Sequence, residues 1–354
     1  MENLDNKSGE NNFNFQWHIN ERCNLRCTHC YQEHYSNADE MSFIDLKLVG
    51  DNLIRALTKW NKKGKIAITG GEPLLKKELF PLLDYLDKCP QIANLYILTN
   101  GTLIDDEVCA NIKNIPKVSR VQISLDGASS KTHDAIRGNG NFEKAKRAIR
   151  LLNSYDIKVN LMYTLQKGNR GDIPALFDLA IEEKVNSLLI ERFVPCGQGK
   201  QINTEMLSTL ELQEMFQYIS QRADSEYDAG HPIMIVKQRP LWINVDAEKA
   251  RHNSTLPVHK QLGGICSIGL DNLTILHDGT VLPCRRLNIP IGNLKDDSLF
   301  KIWYGSDVLW AIRDKRNLKG KCNSCDLVPL CSGCRAMAYA CTGDYLEEDP
   351  QCWK

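Results

Sequence analysis

Between residue 13 and about residue 196 this chain alternates short β-rich runs with longer helical patterns, six times over. The β-rich runs are Phe13–Ile19, Lys65–Thr69, Asn94–Thr99, Arg120–Leu125, Lys158–Thr164 and Ser187–Phe193. Helical stretches lie between them, among them Phe43–Trp60, Glu78–Lys88 and Phe142–Tyr155. In the first of these Phe43, Leu46, Val49, Gly50, Leu53 and Leu57 recur at helical spacing and mark one buried face. Strand-then-helix repeats imply parallel strands joined by right-handed crossovers. The expectation is an α/β fold, a partial (β/α)6 TIM-like barrel, with its chemistry gathered at the carboxyl ends of the strands.

The rest of the chain divides by texture. Residues 1–12 are polar and Asn-rich and read as a flexible tail, residues 13–199 as the barrel, and residues 200–262 as a polar connector with a helix over Leu207–Ala223. From 263 to 354 the pattern turns to short strands, tight turns and cysteines. Leu273–Leu276 and Val281–Leu282, around Asp278-Gly279, form a hairpin. This second, small domain is expected to be held largely by metal. Lys plus Arg and Asp plus Glu both number 44, so no basic excess points to nucleic acid. With no apolar run long enough for a membrane span and no signal peptide, the expected location is cytoplasmic.

In a reducing compartment clustered cysteines mean metal or redox chemistry rather than disulfides. Of fourteen cysteines, three lie at Cys23, Cys27 and Cys30, eight between Cys266 and Cys352, and Cys89, Cys109 and Cys196 stand alone. The first group, C-x3-C-x2-C on a loop leaving the first strand, supplies three thiolates to a four-iron cube and leaves one iron position open. A zinc knuckle would want a fourth ligand in the same loop, with His29 and His34 available. Further motifs follow the strands: Gly70-Gly71-Glu72-Pro73, Thr99-Asn100-Gly101, Ser124-Leu125-Asp126-Gly127 and Glu191-Arg192-Phe193-Val194-Pro195-Cys196. Ser124 and Asp126 share a strand face. Asp126, Glu191 and Cys196 are the candidate catalytic residues, Cys196 as a proton or hydrogen-atom donor.

On these residues the chain resembles the radical S-adenosylmethionine enzymes, which carry the three-cysteine motif after the first barrel strand. The resemblance implies S-adenosyl-L-methionine on the open iron, with Tyr31 near the adenine. It implies Gly70, Gly71, Glu72 and Pro73 at the methionine amino group, and Asn100 among the site's polar contacts. Ser124 is implied at the ribose or carboxylate, Arg137 at the methionine carboxylate, and backbone near Ile190 at the adenine. The C-terminal cysteines resemble the SPASM extension, which carries two auxiliary [4Fe–4S] clusters. Carried over by position, Cys322, Cys325, Cys331 and Cys352 bind the outer cluster, and Cys266, Cys284 and Cys334 the inner one. The chain departs from that pattern in having two residues between Cys331 and Cys334, and no thiol near Asn272. Either Cys341 bends back to complete the inner set, or an inner iron stays open.

An electron entering the first cluster, from a flavodoxin or ferredoxin-type reductant, breaks the sulfonium bond and yields a radical that abstracts a substrate hydrogen. The auxiliary clusters then take up an electron. The first expectation for the substrate is a ribosomally made precursor peptide, oxidised or cross-linked with help from a separate leader-binding protein. The alternatives are decarboxylation or trimming of a modified tetrapyrrole, which the run from Cys334 to Cys352 resembles, and sulfatase-type formylglycine maturation. An iron–sulfur electron carrier would reduce its clusters without cleaving the sulfonium.

Overall fold

Phe13, Phe15 and Trp17 alternate with polar residues and are buried along one face of strand β1 (Asn12–His18). They do so in a computed structural model that describes residues 11–231, 234–235, 240–252, 266–328 and 330–354. The other five units follow in order: α1 (Phe43–Trp60), β2 (Lys63–Thr69), α2 (Leu79–Asp87), β3 (Ile92–Thr99), α3 (Asp106–Lys113) and β4 (Val118–Ser124). Then come α4 (Ser130–Arg137), α5 (Asn141–Ser154), β5 (Val159–Leu165), α6 (Ile173–Glu182) and β6 (Ser187–Arg192). All six expected strands are present close to their expected bounds. They pair in parallel in sequence order, for example Phe15 with Ile66 and Ile68 with Ile97.

Helix α1 shows how the crossovers are fixed. Ser42 and Asp45 form a reciprocal capping box at its start, with Asp45 in place of the usual Glu. Its buried stripe, Leu46, Val49, Leu53 and Leu57, faces the sheet. A Cβ on Gly50 would stand 2.9 Å from the Tyr85 ring, so the glycine lets α1 and α2 approach closely. Asn52, also buried on α1, donates to the carbonyls of Leu294 (3.2 Å) and Asp297 (2.8 Å) and accepts from the Leu299 N–H (2.9 Å).

The connector holds α7 (Thr209–Asp228), β7 (Met234–Ile235) and α8 (Trp242–His252). Its residues 253–262, and the tail up to residue 10, lie outside the described residues. The C-terminal part adds β8 (Asn272–Ile275), β9 (Thr280–Leu282), β10 (Gly292–Asn293), α9 (Leu299–Gly305), α10 (Asp307–Arg313) and α11 (Arg335–Thr342). The hairpin turns at Gly279, φ +90°, as Asp-Gly foretells.

The hairpin is also held by more than cysteines. Strand β8 pairs in parallel with β1, Phe15 opposite Leu273, and one sheet runs β10-β9-β8-β1-β2-β3-β4-β5-β6-β7. An open barrel leaves unpaired backbone at its first and last strands. Here β8 covers the β1 edge and β7 the β6 edge. Leu273, Ile275, Val281 and Trp303 accordingly join the barrel's own apolar core. Among the described residues no helix is long and apolar enough to cross a membrane.

Candidate active site

The loop after β1 is stitched to the turn after β2. The Gly71 N–H donates to Asn20 O (3.0 Å) and the Glu72 N–H to Arg22 O (2.8 Å), while Asn20 Nδ2 donates to Glu72 O (2.8 Å). A Cβ on Gly70 would fall 1.9 Å from Asn20 Oδ1, and one on Gly71 2.2 Å from Arg22 O. The two glycines thus serve the close approach of two loops.

Each of the three cysteines has a nearby N–H. Leu25 N–H donates to Cys23 Sγ and Gln32 N–H to Cys30 Sγ, both at 3.4 Å. Arg137 Nη1 lies 3.7 Å from Cys27 Sγ and Asn100 Nδ2 3.9 Å from Cys23 Sγ. Such donors suit the sulfurs of a cluster. Burial pushes the Cys23 thiol up to about 11 and that of Cys27 upward too, so a cationic metal is what would make them thiolates. Of the two zinc-knuckle histidines, His29 places Nε2 3.0 Å from Asp126 Oδ2 with its Nδ1 buried and without a hydrogen-bond partner, and His34 is exposed. Among the described residues no three His, Cys, Asp or Glu side chains close on a single ion.

Glu72 is fully buried, and its oxygens accept from Thr99 Oγ1 (2.7 Å), Asn100 N–H (2.9 Å) and Leu74 N–H (3.2 Å). Burial lifts its carboxyl to about 7 against those hydrogen bonds. These contacts brace the end of β3, and Pro73 opens the short turn that follows. Asn100 works on the cysteine loop: its Nδ2 donates to Asn24 Oδ1 (2.9 Å), and its Oδ1 accepts from Thr102 Oγ1 (2.6 Å).

Asp126 is the next expected residue. It lies beyond the end of β4, is fully buried, and takes Arg137 Nε (2.5 Å), His29 and the Thr164 N–H (2.7 Å). Burial alone would raise its carboxyl, but Arg137 and His29 hold it well below the usual carboxylate range. Both of its oxygens are engaged by the chain. It fixes Arg137, at the end of α4, against the cysteine loop, and the Thr28 N–H bonds Ile136 O (3.0 Å) there as well. Ser124 ends β4, half-buried.

At β6, Ile190 is buried opposite Tyr163. Glu191 pairs with Arg286, which follows Cys284 by two residues, so it ties the barrel to the second cysteine region instead of facing substrate alone. Arg192, buried, binds Asp349 through both guanidinium arms and Gln351 Oε1 at 2.9 Å. Cys196 is half-buried where residues 198–199 meet the first loop, Gly199 N–H to Cys30 O (3.2 Å) and Gln198 N–H to Gln32 O (3.1 Å). Gly197, φ +58°, would place a Cβ 2.3 Å from Tyr31 backbone. Burial lifts the Cys196 thiol to about 11 against Arg286 and Arg285, which keeps its hydrogen in place near neutral pH.

Tyr31, whose hydroxyl burial pushes up to about 12, is met edge-on by His18 (5.6 Å) and covered by the Arg285 guanidinium at 4.4 Å. Tyr31 follows Cys30 and Arg285 follows Cys284, so this stack joins the two cysteine loops. Arg285 Nε is buried without a partner. Sequence reading passed over Arg285 and Arg286; a dibasic pair just after a cysteine in an apolar hairpin was the available signal.

Cys266, Cys284 and Cys334 pack on one small apolar cluster with Ile268, Leu287, Ile312 and Ala336. Cys322 and Cys331 are raised by burial first and then by neighbours that include Cys352, which brings those three together. Cys325 lies in the adjoining turn beside Asp326 Oδ1 (3.7 Å). Cys341 lies farther along. Helix α11 runs unbroken past it, it is exposed, and its Sγ sits 3.7 Å from Met337 Sδ. Seven residues of helix separate it from Cys334 by about 10 Å along the axis.

Comparison with known proteins agrees with this geometry. The Radical SAM superfamily matches residues 17–180, and the iron-sulfur cluster-binding SPASM domain residues 266–326. The AdoMet-dependent heme synthase of Methanosarcina barkeri is 29% identical over 345 residues, covering 95% of each chain. The Fe-coproporphyrin III synthase of the same organism is 30% identical over 354 residues, 95% of this chain and 86% of that one. Among solved structures, Streptococcus suis SuiB bound to precursor peptide SuiA has a TM-score of 0.76 at 18% identity, covering 97% of this chain and 76% of that one.

Proposed function

This chain belongs to the radical S-adenosylmethionine superfamily and carries its SPASM extension, and from that premise we propose that it oxidatively decarboxylates a side chain of a carboxylate-bearing tetrapyrrole. The observation that carries the reading is Arg285. Its guanidinium lies on Tyr31 between the two cysteine loops, with Nε buried and unpartnered, and a planar fork of this kind suits a carboxylate. Relatives named for haem chemistry that match along nearly the whole chain support it.

When bound, the cofactor and its clusters supply a 5′-deoxyadenosyl radical and an acceptor for one electron. Cys23, Cys27 and Cys30 are the proposed ligands of the first cluster. Cys322, Cys325, Cys331 and Cys352 are those of the outer auxiliary cluster, and Cys266, Cys284 and Cys334 alone those of the inner one. Arg137, Ser124, Tyr31 and backbone at Gly70 and Ile190 are proposed to hold the sulfonium, with Asp126 and Glu72 positioning them. For each propionate turned into a vinyl group, a hydrogen atom leaves the side-chain carbon next to the ring, the bond to the carboxylate breaks to release carbon dioxide, and one electron is carried away. Arg285 would orient the departing carboxylate one residue from a proposed ligand of the inner cluster. A low-potential donor of flavodoxin or ferredoxin type starts the cycle.

The test incubates reconstituted, reduced enzyme with iron coproporphyrin and, separately, with peptides encoded beside its gene. Mass spectrometry follows 5′-deoxyadenosine and substrate mass together. The expected product has lost carbon dioxide and two hydrogens per side chain, and Arg285→Gln should form 5′-deoxyadenosine with little decarboxylated product. A peptide that loses two hydrogens while the porphyrin is untouched would overturn the reading in favour of a peptide maturase.

A further inference from the structure

A buried cation needs an anion, and among the described residues Arg335 forms no ion pair, Asp344 being near enough only to feel its charge. It is 1% exposed and opens α11 directly after Cys334. One nitrogen, Nη1, donates to Tyr345 O at 2.9 Å and Glu347 O at 2.7 Å. Nε and Nη2 are buried with no hydrogen-bond partner. Asp349 is paired with Arg192 and Asp344 with Lys319, and Glu348 accepts the Lys321 N–H. Nη2 lies against Gly333, where an added Cβ would stand 2.8 Å from it, and the Gly333 N–H itself donates to Cys331 Sγ at 3.2 Å.

A guanidinium withdrawn from water and left without a carboxylate is costly unless some other negative charge lies beside it. A cube held by four thiolates is such a charge, and its sulfurs accept N–H hydrogen bonds. We propose that Arg335 is the counter-charge and hydrogen-bond donor of the outer auxiliary cluster, and that it raises that cluster's reduction potential. The proposal rests on the outer cluster being held by Cys322, Cys325, Cys331 and Cys352. Reduction adds a negative charge to the cluster, so a fixed positive charge beside it favours the reduced form. A higher potential is what an acceptor of the substrate's electron requires.

The test compares wild type, Arg335→Gln and Arg335→Lys, each reconstituted whole, by iron content and by EPR-monitored redox titration. Gln keeps a donor for the two carbonyls without the charge; Lys keeps the charge. The expected result is one auxiliary signal shifted to lower potential in the Gln variant and little moved in the Lys variant, with the first cluster unchanged. Loss of about four irons per chain from the Gln variant alone would also support the proposal. Full iron with unmoved potentials in the Gln variant would overturn it, as would equal shifts or equal iron loss in both variants. Wild type that never binds the outer cluster would overturn it together with the ligand assignment.

Discussion

Glu72 carries a charge question that its hydrogen bonds answer only in part. With a folded-state pKa lifted to about 7, it holds its proton after the unfolded chain has released it. The native state then binds more protons than the unfolded one between the ordinary carboxyl value and 7, so this residue's contribution to stability declines as pH rises through that window. The slope reaches about 1.4 kcal/mol per pH unit at most. Glu72→Gln should flatten it, as thermal melting of cluster-free protein from pH 4.5 to 7.5 would show; an unaltered slope would mean that another group sets it. Residue types at this site were legible because the motif spacings name them. What each side chain touches was not. Glu72 and Asp126 read as ligand- or substrate-facing groups, and both also take donors from β3, β5 and α4. Those donors lie far along the chain, where spacing is silent.

Elements were the most legible scale. Alternation fixed all six barrel strands, and the apolar stripe of α1 matched its bounds, Phe43–Trp60. Pairing across long separations was out of reach: periodicity marks Leu273 as strand without saying that Phe15 lies opposite it. Asn52 is the polar counterpart of that omission. It interrupts an apolar helix face and looks misplaced until its three bonds to residues 294–299 are seen. Asn52→Ala should strand two carbonyls and one N–H in the interior, at a cost of about 1–3 kcal/mol. Asn52→Asp, which keeps the acceptor and loses the donors, should be no better. Urea unfolding of both variants measures this, and a loss below about 0.5 kcal/mol would show that the α1 junction with the C-terminal part is not held by this side chain.

Across the whole molecule, the barrel's last strand is bolted to the chain's final segment. Arg192 and Asp349 meet through paired hydrogen bonds with both side chains buried, and Asp349 also takes the N–H groups of Cys334 (2.8 Å) and Gln351 (3.1 Å). Next to them Glu191 holds Arg286. Two consecutive residues of β6 therefore reach the two cysteine loops proposed to carry the auxiliary clusters, which sets their distance from the barrel mouth. A buried pair of this kind contributes little net stability, but removing one partner leaves a naked charge at a cost of about 3–5 kcal/mol. Asp349→Asn is therefore expected to unfold at distinctly lower urea concentration than wild type, and Arg192→Met combined with Asp349→Leu should recover part of the loss. The two changes share a second effect. Both remove the anion that orients the Cys334 N–H, so both should lower the iron retained by the C-terminal cysteines, even where the double variant folds well. A double variant with wild-type iron content would mean that the pair only staples the two parts together and does not shape the cysteine site.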